Sequence, residues 1–567
     1  MIHNPKIYNN NDSDNEPYAV AEEWVRPVDW IPIPEISTGE QVIYCLMAVV
    51  EEELNYCAFT ISGNYTVDWG DGAVENVTSN TQAQHIYDYT TVGNDCSRGY
   101  RQALIKITPQ AGQNITYIDF RKRHTALPAV VFNTKFLDIV INTPNVVGSN
   151  LYINSSTSPS YLRMVERVSI RETGVITSCA EMFYYCINLL QVDSFSVGGT
   201  NFGTMFGGCY KIQKLPMLNL STATSISAFA FSCYSLIEVP LYDTSNVTTI
   251  AQSFYQCFSL ERIPNFNLEK VTNLTIAFLQ CYKLRGTINL NLPLAGNLTQ
   301  TFSNCTKIKN VNLITSLSLT SLQGTFINCY KLEKVTISNT SNVTNAGDLF
   351  SNCVNLQKLP EMDVRKVQQA NCMFRYCEQF TDFSQYNFRD LASTYYMFAN
   401  CYNVKKLPDI NSTTITNSSS MLTTCYSLTD ASNILVKGTL VSAFEGCYTL
   451  QKIAPIDCTG VTSLQQTFNN CNLLEEIELT NCDSIAGTNC TYYTFNQCLL
   501  LRKLTAQGLK VTFSVANCSL DATALNELFT SLGTPATTQI VTVKGNPGAS
   551  TCDTSIATAK NWTVVII

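Results

Sequence analysis

The chain has 567 residues, 45% hydrophobic and only 14% charged, with a net charge of −8. That apolar content supports packed cores, the acidic balance argues against a nucleic-acid-binding surface, and no run of about 18 apolar residues offers a membrane-inserting span. Of the possible metal ligands there are 24 cysteines but only three histidines (His3, His85 and His124), and no Cys-x-x-Cys pair, so neither a metal site nor a cofactor is expected.

Residues 1–35 are polar and interrupted by Pro5, Pro17, Pro27, Pro32 and Pro34, and they include the run Asn9–Asp14. Such a segment does not fold alone and reads as an attachment arm that orders on a partner. Met1–Lys6 has no apolar core like that of a secretion signal, so classical secretion is not the expected route to a surface.

From 36 to 160 short apolar runs alternate with turns, as in a β-sandwich. Val42–Val49 and Ala103–Thr108 read as strands, and Tyr65–Trp69 runs into Gly70-Asp71-Gly72, a hairpin signal. Asp68, Trp69, Gly70, Asp71 and Gly72, followed by His85 and Tyr87, resemble the motif of PKD-type immunoglobulin-like modules. The resemblance implies a structural β-turn that packs the sandwich, not a catalytic site. Asp68 and Asp71 are expected to bond the turn's own amides; calcium ligation by the pair is the alternative.

From 161 to 510 a repeat takes over. Cys233, Cys257, Cys281, Cys305, Cys329, Cys353, Cys377, Cys401 and Cys425 follow one another every 24 residues, and Cys186, Cys209, Cys447, Cys471 and Cys498 extend the series at intervals of 22 to 27. A period in this range marks a solenoid whose coils bury their neighbours' apolar edges, here about 14 coils. One cysteine per coil at one phase makes a buried column of small hydrophobic thiols in preference to disulfides, which need a specific pairwise geometry. Counting from each cysteine, position −3 is Phe in most coils and position +3 is aliphatic. Positions +5 to +8 alternate as a short strand with +6 and +8 inward, and proline recurs at +7 (Pro216, Pro240, Pro264, Pro360, Pro408), where a strand ends or bends. The Phe-x-x-Cys segment is expected to close each coil as a helical or 3₁₀ turn.

Two columns are expected at the surface. Position +5 reads Lys358, Asp382, Lys406, Asp430, Lys452, Glu476 and Lys503, alternating in sign, as do Lys214, Glu238 and Arg262 upstream. This is a ladder of cross-strand ion pairs or a polar strip for a ligand. Position +1 is tyrosine in seven coils, Tyr210, Tyr234, Tyr282, Tyr330, Tyr402, Tyr426 and Tyr448. These are either a half-buried stack closing the coils or a row of flat amphipathic groups suited to sugar or protein contact. Residues 511–567 break the period: Leu520–Phe529 reads as an amphipathic helix, Ile540–Val543 and Trp562–Ile567 as strands, together an α/β cap.

Met182-Phe183-Tyr184-Tyr185-Cys186, Met397-Phe398-Ala399-Asn400-Cys401 and the loops Asp243–Thr248 and Asn339–Thr344 resemble the BspA-like leucine-rich repeats, and the resemblance spans about 60% of the chain. The ending, and more weakly Arg26–Trp30 and Cys96–Tyr100, resemble phage tail-fibre-like proteins that carry such repeats. The resemblance implies a mainly β protein with short helical turns, a sandwich followed by a leucine-rich-repeat solenoid. It implies a non-enzymatic virion appendage, exposed at the virion surface or extracellularly. Other virion proteins would be its partners through the arm, and a host-surface glycan or protein through the solenoid. A cellular adhesin, a structural filament subunit in a homo-oligomer, and a glycan-degrading fibre remain the other classes. No histidine falls in the repeats to activate a nucleophile, and Asp382 and Asp430 have Lys406 between them, which suits charge pairing better than acid–base work.

Overall fold

The computed structural model describes residues 17–567 except 52–53, 128–134, 155–161, 265 and 488. The chain divides into two compact units, residues 1–271 with 276–288, and residues 272–275 with 289–567.

The first unit opens with two sheets. Strands β1 (Val42–Val49), β2 (Asn55–Ser62), β3 (Tyr65–Asp68), β4 (Val74–Val77), β5 (Gln82–Tyr87), β6 (Arg101–Pro109), β7 (Tyr117–Asp119), β8 (Phe136–Asn142), β9 (Leu151–Tyr152), β10 (Arg167–Glu172) and β11 (Gln191–Val192) form a seven-stranded sheet, β11-β10-β8-β1-β6-β3-β4, and a four-stranded one, β5-β2-β7-β9. β1 is antiparallel to β6 and β8, whereas β10 and β11 add to β8 in parallel. Because β11 lies at +5 and +6 of the Cys186 coil, the sheet of the N-terminal domain takes in the strand of the first coil as its edge.

All eight residues of β1 are buried, which explains its unbroken apolar run: a strand that alternates has one wet face, and this one has none. Val42, Tyr44, Leu46 and Ala48 are covered by the segment from Trp24 to Ile36, through Trp24, Trp30, Ile31, Ile33 and Ile36. Part of the segment expected to order on a partner is thus ordered on its own chain; residues 1–16 lie outside the described residues. Arg26 Nε and Arg167 Nε both donate to the fully buried Asp138 carboxylate on β8, at 2.8 and 2.9 Å. The stretches Arg26–Trp30 and Cys96–Tyr100, far apart in sequence, meet here. Trp30 Nε1 donates to Tyr100 Oη at 2.9 Å, and Asp29 Oδ2 accepts from Ser97 N at 2.8 Å and from Cys96 Sγ at 3.2 Å.

The Ser97 hydroxyl and amide and the Cys96 thiol hold the Asp29 carboxyl down at about 2. A depressed folded-state pKa stabilises above the unfolded value and is lost as pH falls through the folded one. The Trp24–Trp30 fluorescence is therefore expected to hold its native maximum from pH 7 to about 4 and to lose it between about 4 and 2. Asp29→Asn should flatten that transition; an unchanged one would refute the assignment.

The repeats fold as coils in both units. Strands fall at +5 to +8 in Lys334–Ile337 and Lys503–Ala506 and at +5 to +9 in Glu476–Thr480, and Val335 and Ile337 point inward. At the coils bearing Pro216 and Pro360 the row shrinks to single bridges, Lys214↔Glu238 and Lys334↔Lys358, because proline has no N–H to give the ladder.

The Phe-x-x-Cys segment is not a helical or 3₁₀ turn. Positions −5 and −1 are left-handed in coil after coil: Gln252 and Gln256, Asp348 and Asn352, Tyr396 and Asn400, Gln466 and Asn470, with φ from 53° to 63°. This turns the N–H groups at −5, −3 and −1 along the stack. Phe350 N donates to Met373 O at 2.9 Å and Asn352 N to Arg375 O at 2.8 Å, while Ser351 and Cys353 close i→i−3 turns within the coil. A 3₁₀ helix would use every amide within the coil, leaving none for its neighbour. Left-handed backbone favours Asn among non-glycine residues, and at −1 the amides also join side chain to side chain: Asn352 Nδ2 to Asn328 Oδ1 at 2.8 Å, Asn328 Nδ2 to Asn304 Oδ1 at 3.0 Å.

In the second unit the rings at −3 form a stack, Phe302–Phe326–Phe350–Phe374–Phe398, with centroids 5.6 to 6.1 Å apart. All 24 cysteines are free and all but Cys372 and Cys552 are buried. The column thiols do more than fill space. Twelve of the fourteen donate Sγ–H to the −3 carbonyl of the preceding coil, for example Cys257 to Ala230 O at 3.2 Å, Cys353 to Phe326 O at 3.1 Å and Cys401 to Phe374 O at 3.0 Å, whereas Cys186 accepts from Asn154 Nδ2. The same carbonyl accepts the cysteine N–H of its own coil, so both its lone pairs are used. Burial raises these thiols, to about 12 at Cys401 and Cys447. Titration of the native protein with a thiol reagent is expected to read about two cysteines, against 24 after denaturation. Fast reaction of the column would refute the packing. Cys353→Ala should cost about 1–3 kcal/mol by leaving a buried carbonyl short of a donor, read by denaturant unfolding.

The chain ends in the expected cap. Asp521 accepts from Ala524 N at 2.8 Å and caps the helix Ala522–Ser531, which is followed by the strands Gln539–Thr542 and Trp562–Val565.

Candidate functional site

The motif at 68–87 forms a closed local cluster. β3 and β4 make a hairpin whose turn is fixed by Asp68 Oδ1 accepting from Gly70 N at 3.0 Å and Asp71 Oδ1 accepting from Ala73 N at 3.0 Å. Gly70 has φ +79°, and a Cβ there would lie 2.6 Å from Leu104 O. The other Asp71 oxygen meets His85 Nε2 at 2.7 Å, the His85 ring stacks on Trp69 at 4.7 Å, and Tyr87 Oη donates to Trp69 O at 2.9 Å. Gly72 completes the turn at φ +97°. Among the described residues no group of three or more His, Cys, Asp or Glu is placed to hold a metal, and no helix is long and apolar enough to cross a membrane.

The tyrosines at +1 fall into groups. In the first unit Tyr210 stacks on Tyr234 at 4.6 Å; Phe258, which the pattern of tyrosines passes over, continues the column at 4.7 Å and Tyr282 at 5.2 Å. In the second unit Tyr402, Tyr426 and Tyr448 stack at 5.1 and 5.2 Å. Val354 and Glu378 stand at +1 between Tyr330 and Tyr402, so Tyr330 does not join that stack. The stacks are partly buried and partly open: Tyr426 and Tyr448 retain 39% and 43% of their accessible surface. Burial, then the nearby Glu378 carboxylate, pushes the Tyr402 phenol up to about 12. Tyr402 is therefore a neutral donor with a flat apolar face at physiological pH.

The charges at +5 lie in register on neighbouring coils. Asp430 is paired with Lys452 and Glu476 with Lys503 along the strand row. Lys406 Nζ reaches Asp382 Oδ2 at 3.3 Å, with side chains 69% and 44% exposed, a pair of the kind that contributes about 0–1 kcal/mol. The alternation stops at Lys358, whose neighbour in register is Lys334. At that point, beside Pro360, a groove of about 940 Å³ opens along Lys334–Ser341 and Lys358–Asp363.

The corresponding face of the first unit is occupied. The extended segment Pro17–Glu22 lies along it, held by side chains at +4 and +5. Glu261 Oε2 accepts from Ala19 N at 3.1 Å, Glu238 Oε1 from Ala21 N at 3.1 Å and Gln213 Oε1 from Glu22 N at 2.9 Å. Arg285 Nη2 donates to Pro17 O at 2.8 Å, and the Tyr18 ring lies 4.5 Å from the Arg285 guanidinium and 5.4 Å from that of Arg262. Nothing in the spacing of residues 17–22 signals this seat; only the alternation Ala19-x-Ala21, small residues at two of the three donated amides, could have suggested a close backbone approach.

Two family models match the repeats: one described as a Mycoplasma protein of unknown function, DUF285, over residues 163–291, 200–316 and 296–412, and the BspA type leucine rich repeat region, in six copies over 425–536. No curated protein matches. Among solved structures, a leucine rich cell surface protein from Faecalibacterium prausnitzii is 17% identical, covering 60% of this chain and 90% of its own, with a TM-score of 0.26. A leucine-rich repeat protein from Eubacterium ventriosum is 12% identical, covering 72% and 90%, with the same TM-score of 0.26. The coils and their period agree with the matched models, and residues 425–536 match BspA-type leucine-rich repeats.

Proposed function

We propose that the protein is a non-enzymatic surface adhesion protein that binds its target through the half-exposed aromatic stacks at +1. The observation carrying this reading is the Tyr402–Tyr426–Tyr448 column, three parallel rings left partly open on a scaffold held rigid by bonds between coils. Such rings offer flat apolar area and a polar tip at low entropic cost, as a glycan or a protein loop requires. The BspA-type repeats support a surface role. The finer reading is a virion appendage, tail- or head-fibre-like, with a PKD-like module and the N-terminal segment toward the particle. It is supported by the resemblance of the chain's ending and of the stretches at 26–30 and 96–100 to tail-fibre-like proteins. A cellular BspA-like adhesin is the second reading, favoured by the match to the Mycoplasma family model.

The test is a glycan array and intact-cell binding with the full chain and with Tyr402→Ala/Tyr426→Ala/Tyr448→Ala. Binding is expected to fall at least about tenfold, the loss of one to two hot-spot contacts, while the melting temperature of the variant stays within a few degrees. Unchanged binding would move the site off this column. Immunogold labelling of source particles and cells separates the carriers: label on virions supports the appendage, label on cell envelopes the adhesin.

A further inference from the structure

The strand face of the first unit carries an occupant that differs in build from the segment following it. From Trp24 to Ile36 the chain is anchored by buried rings and by Arg26 on a buried carboxylate. From Pro17 to Glu22 it is held at three backbone amides, at the Pro17 carbonyl and by one aromatic ring, and residues 17–20, 22 and 23 are exposed. The receiving surface is shaped for an extended chain. Three residues of extended backbone advance about 10 Å, and two coils about 9.6 Å. Ala19 and Glu22, three residues apart, accordingly reach Glu261 and Gln213, two coils apart, with Ala21 on Glu238 of the coil between them. Gly286, with φ +83°, lies beneath the Tyr18 hydroxyl; a Cβ there would stand 3.1 Å from it. Arg285 is itself steadied by Glu261 at 2.9 Å.

We propose that the column Gln213, Glu238, Glu261 and Arg285, with Arg262, is a docking strip for an extended peptide segment of a partner protein, and that Pro17–Glu22 is its displaceable internal occupant. The strip reads backbone amides with carboxylate and amide acceptors and places an aromatic side chain over two guanidinium groups. Its partner is therefore an extended segment with an aromatic residue followed by small residues at the first two of the three donated amides. Proline at either of those positions is excluded. Because the internal segment is tethered, it competes at an effective concentration in the millimolar range, so a partner binds weakly until the segment is released.

The test keeps the full chain. Ala19→Pro/Ala21→Pro removes two of the three donated amides, those on Glu261 and Glu238, and leaves residues 24–36 untouched. A fluorescein-labelled peptide with the sequence of residues 17–24 serves as the probe, read by anisotropy. It is expected to bind the double-proline protein at least tenfold more tightly than wild type, to lose that binding when Glu238→Lys and Glu261→Lys are added, and to fail when the peptide itself carries the two prolines. A common melting temperature confirms that every variant is folded. Equal affinity for the wild type and the double-proline protein, or binding that survives the two lysines, would overturn the proposal. Neither outcome bears on the tyrosine column, which lies at a different position of the coils.

Discussion

Asp138→Ala is expected to destabilise the first unit by about 3–5 kcal/mol, the cost of stranding buried charge by removing its partner. Asp138 is fully buried, and its two oxygens take Arg26 Nε at 2.8 Å and Arg167 Nε at 2.9 Å. The guanidinium groups are 20% and 14% exposed, so neither can recover its hydration without lifting the segment at 24–36 or bending β10. Arg26 also donates to Trp30 O and Ile31 O, and releasing it frees the cover over β1. Three of the four tryptophans, Trp24, Trp30 and Trp69, lie in this unit, so urea unfolding followed by their fluorescence reads the loss. The decisive companion is Asp138→Ala with Arg26→Met and Arg167→Leu. Removing the stranded charges should return most of the stability, whereas a carboxylate that merely packed well would leave the triple variant worse than the single one. A loss below about 1 kcal/mol in the single variant would show that the pair is solvated and would sink the argument.

Phe350→Ala is the second large effect. The ring is fully buried in a stack of five, 5.8 Å from Phe326 and 6.1 Å from Phe374, and truncating such a ring costs about 3–5 kcal/mol. In a solenoid each coil touches only its neighbours, so hydrogen exchange should accelerate in the coils of Cys329, Cys353 and Cys377 and stay slow near Cys471. The chain supplies its own control. The coil of Cys425 has Leu422 in place of phenylalanine, and Cys447 still donates to the Leu422 carbonyl at 3.1 Å. Phe350→Leu should accordingly cost under about 1.5 kcal/mol, as volume-conserving swaps do. Equal losses for the Ala and Leu variants would show that shape, not volume, governs the column.

The solenoid was legible because its determinants are one-letter and periodic: phenylalanine at −3, cysteine at 0, an aliphatic residue at +3, proline where the strand row thins. The left-handed backbone at −5 and −1 was not, because the residues there vary from Glu181 and Tyr185 to Ile276 and Gln280 to Cys372 and Tyr376. Bonding between coils, not residue type, imposes that conformation. A preference for Asn and Gln at −1 is visible, from Gln256 to Asn352, and could have announced the amide ladder. The N-terminal segment was unreadable for another reason. The partners of Pro17–Glu22 are 191 to 268 residues away, and a proline-broken polar stretch looks the same whether it waits for another protein or lies on its own. Asp138 sits inside the apolar run Phe136–Asn142, where only the two distant arginines explain it. For the tyrosines, the column position was plain and the grouping was not, since Val354 and Glu378 interrupt it and Phe258 extends it.

The direction of the amide bonds between coils sets an order for synthesis. Each coil gives its N–H groups at −5, −3 and −1 to the carbonyls of the coil after it, as Phe350 gives to Met373, and its N–H group at +4 to the coil before it, as Gln357 gives to Glu333. A coil leaving the ribosome is therefore finished only when the next one follows, which at roughly 5–20 residues per second takes a few seconds. At every moment the growing edge exposes waiting donors on the −5 to −1 side and waiting carbonyls on the strand side, as Glu333 O waits for Gln357 N. Neither an oxidant nor an isomerase is needed to close it, because the thiols act as donors and the bonds form in the sequence in which the chain is made.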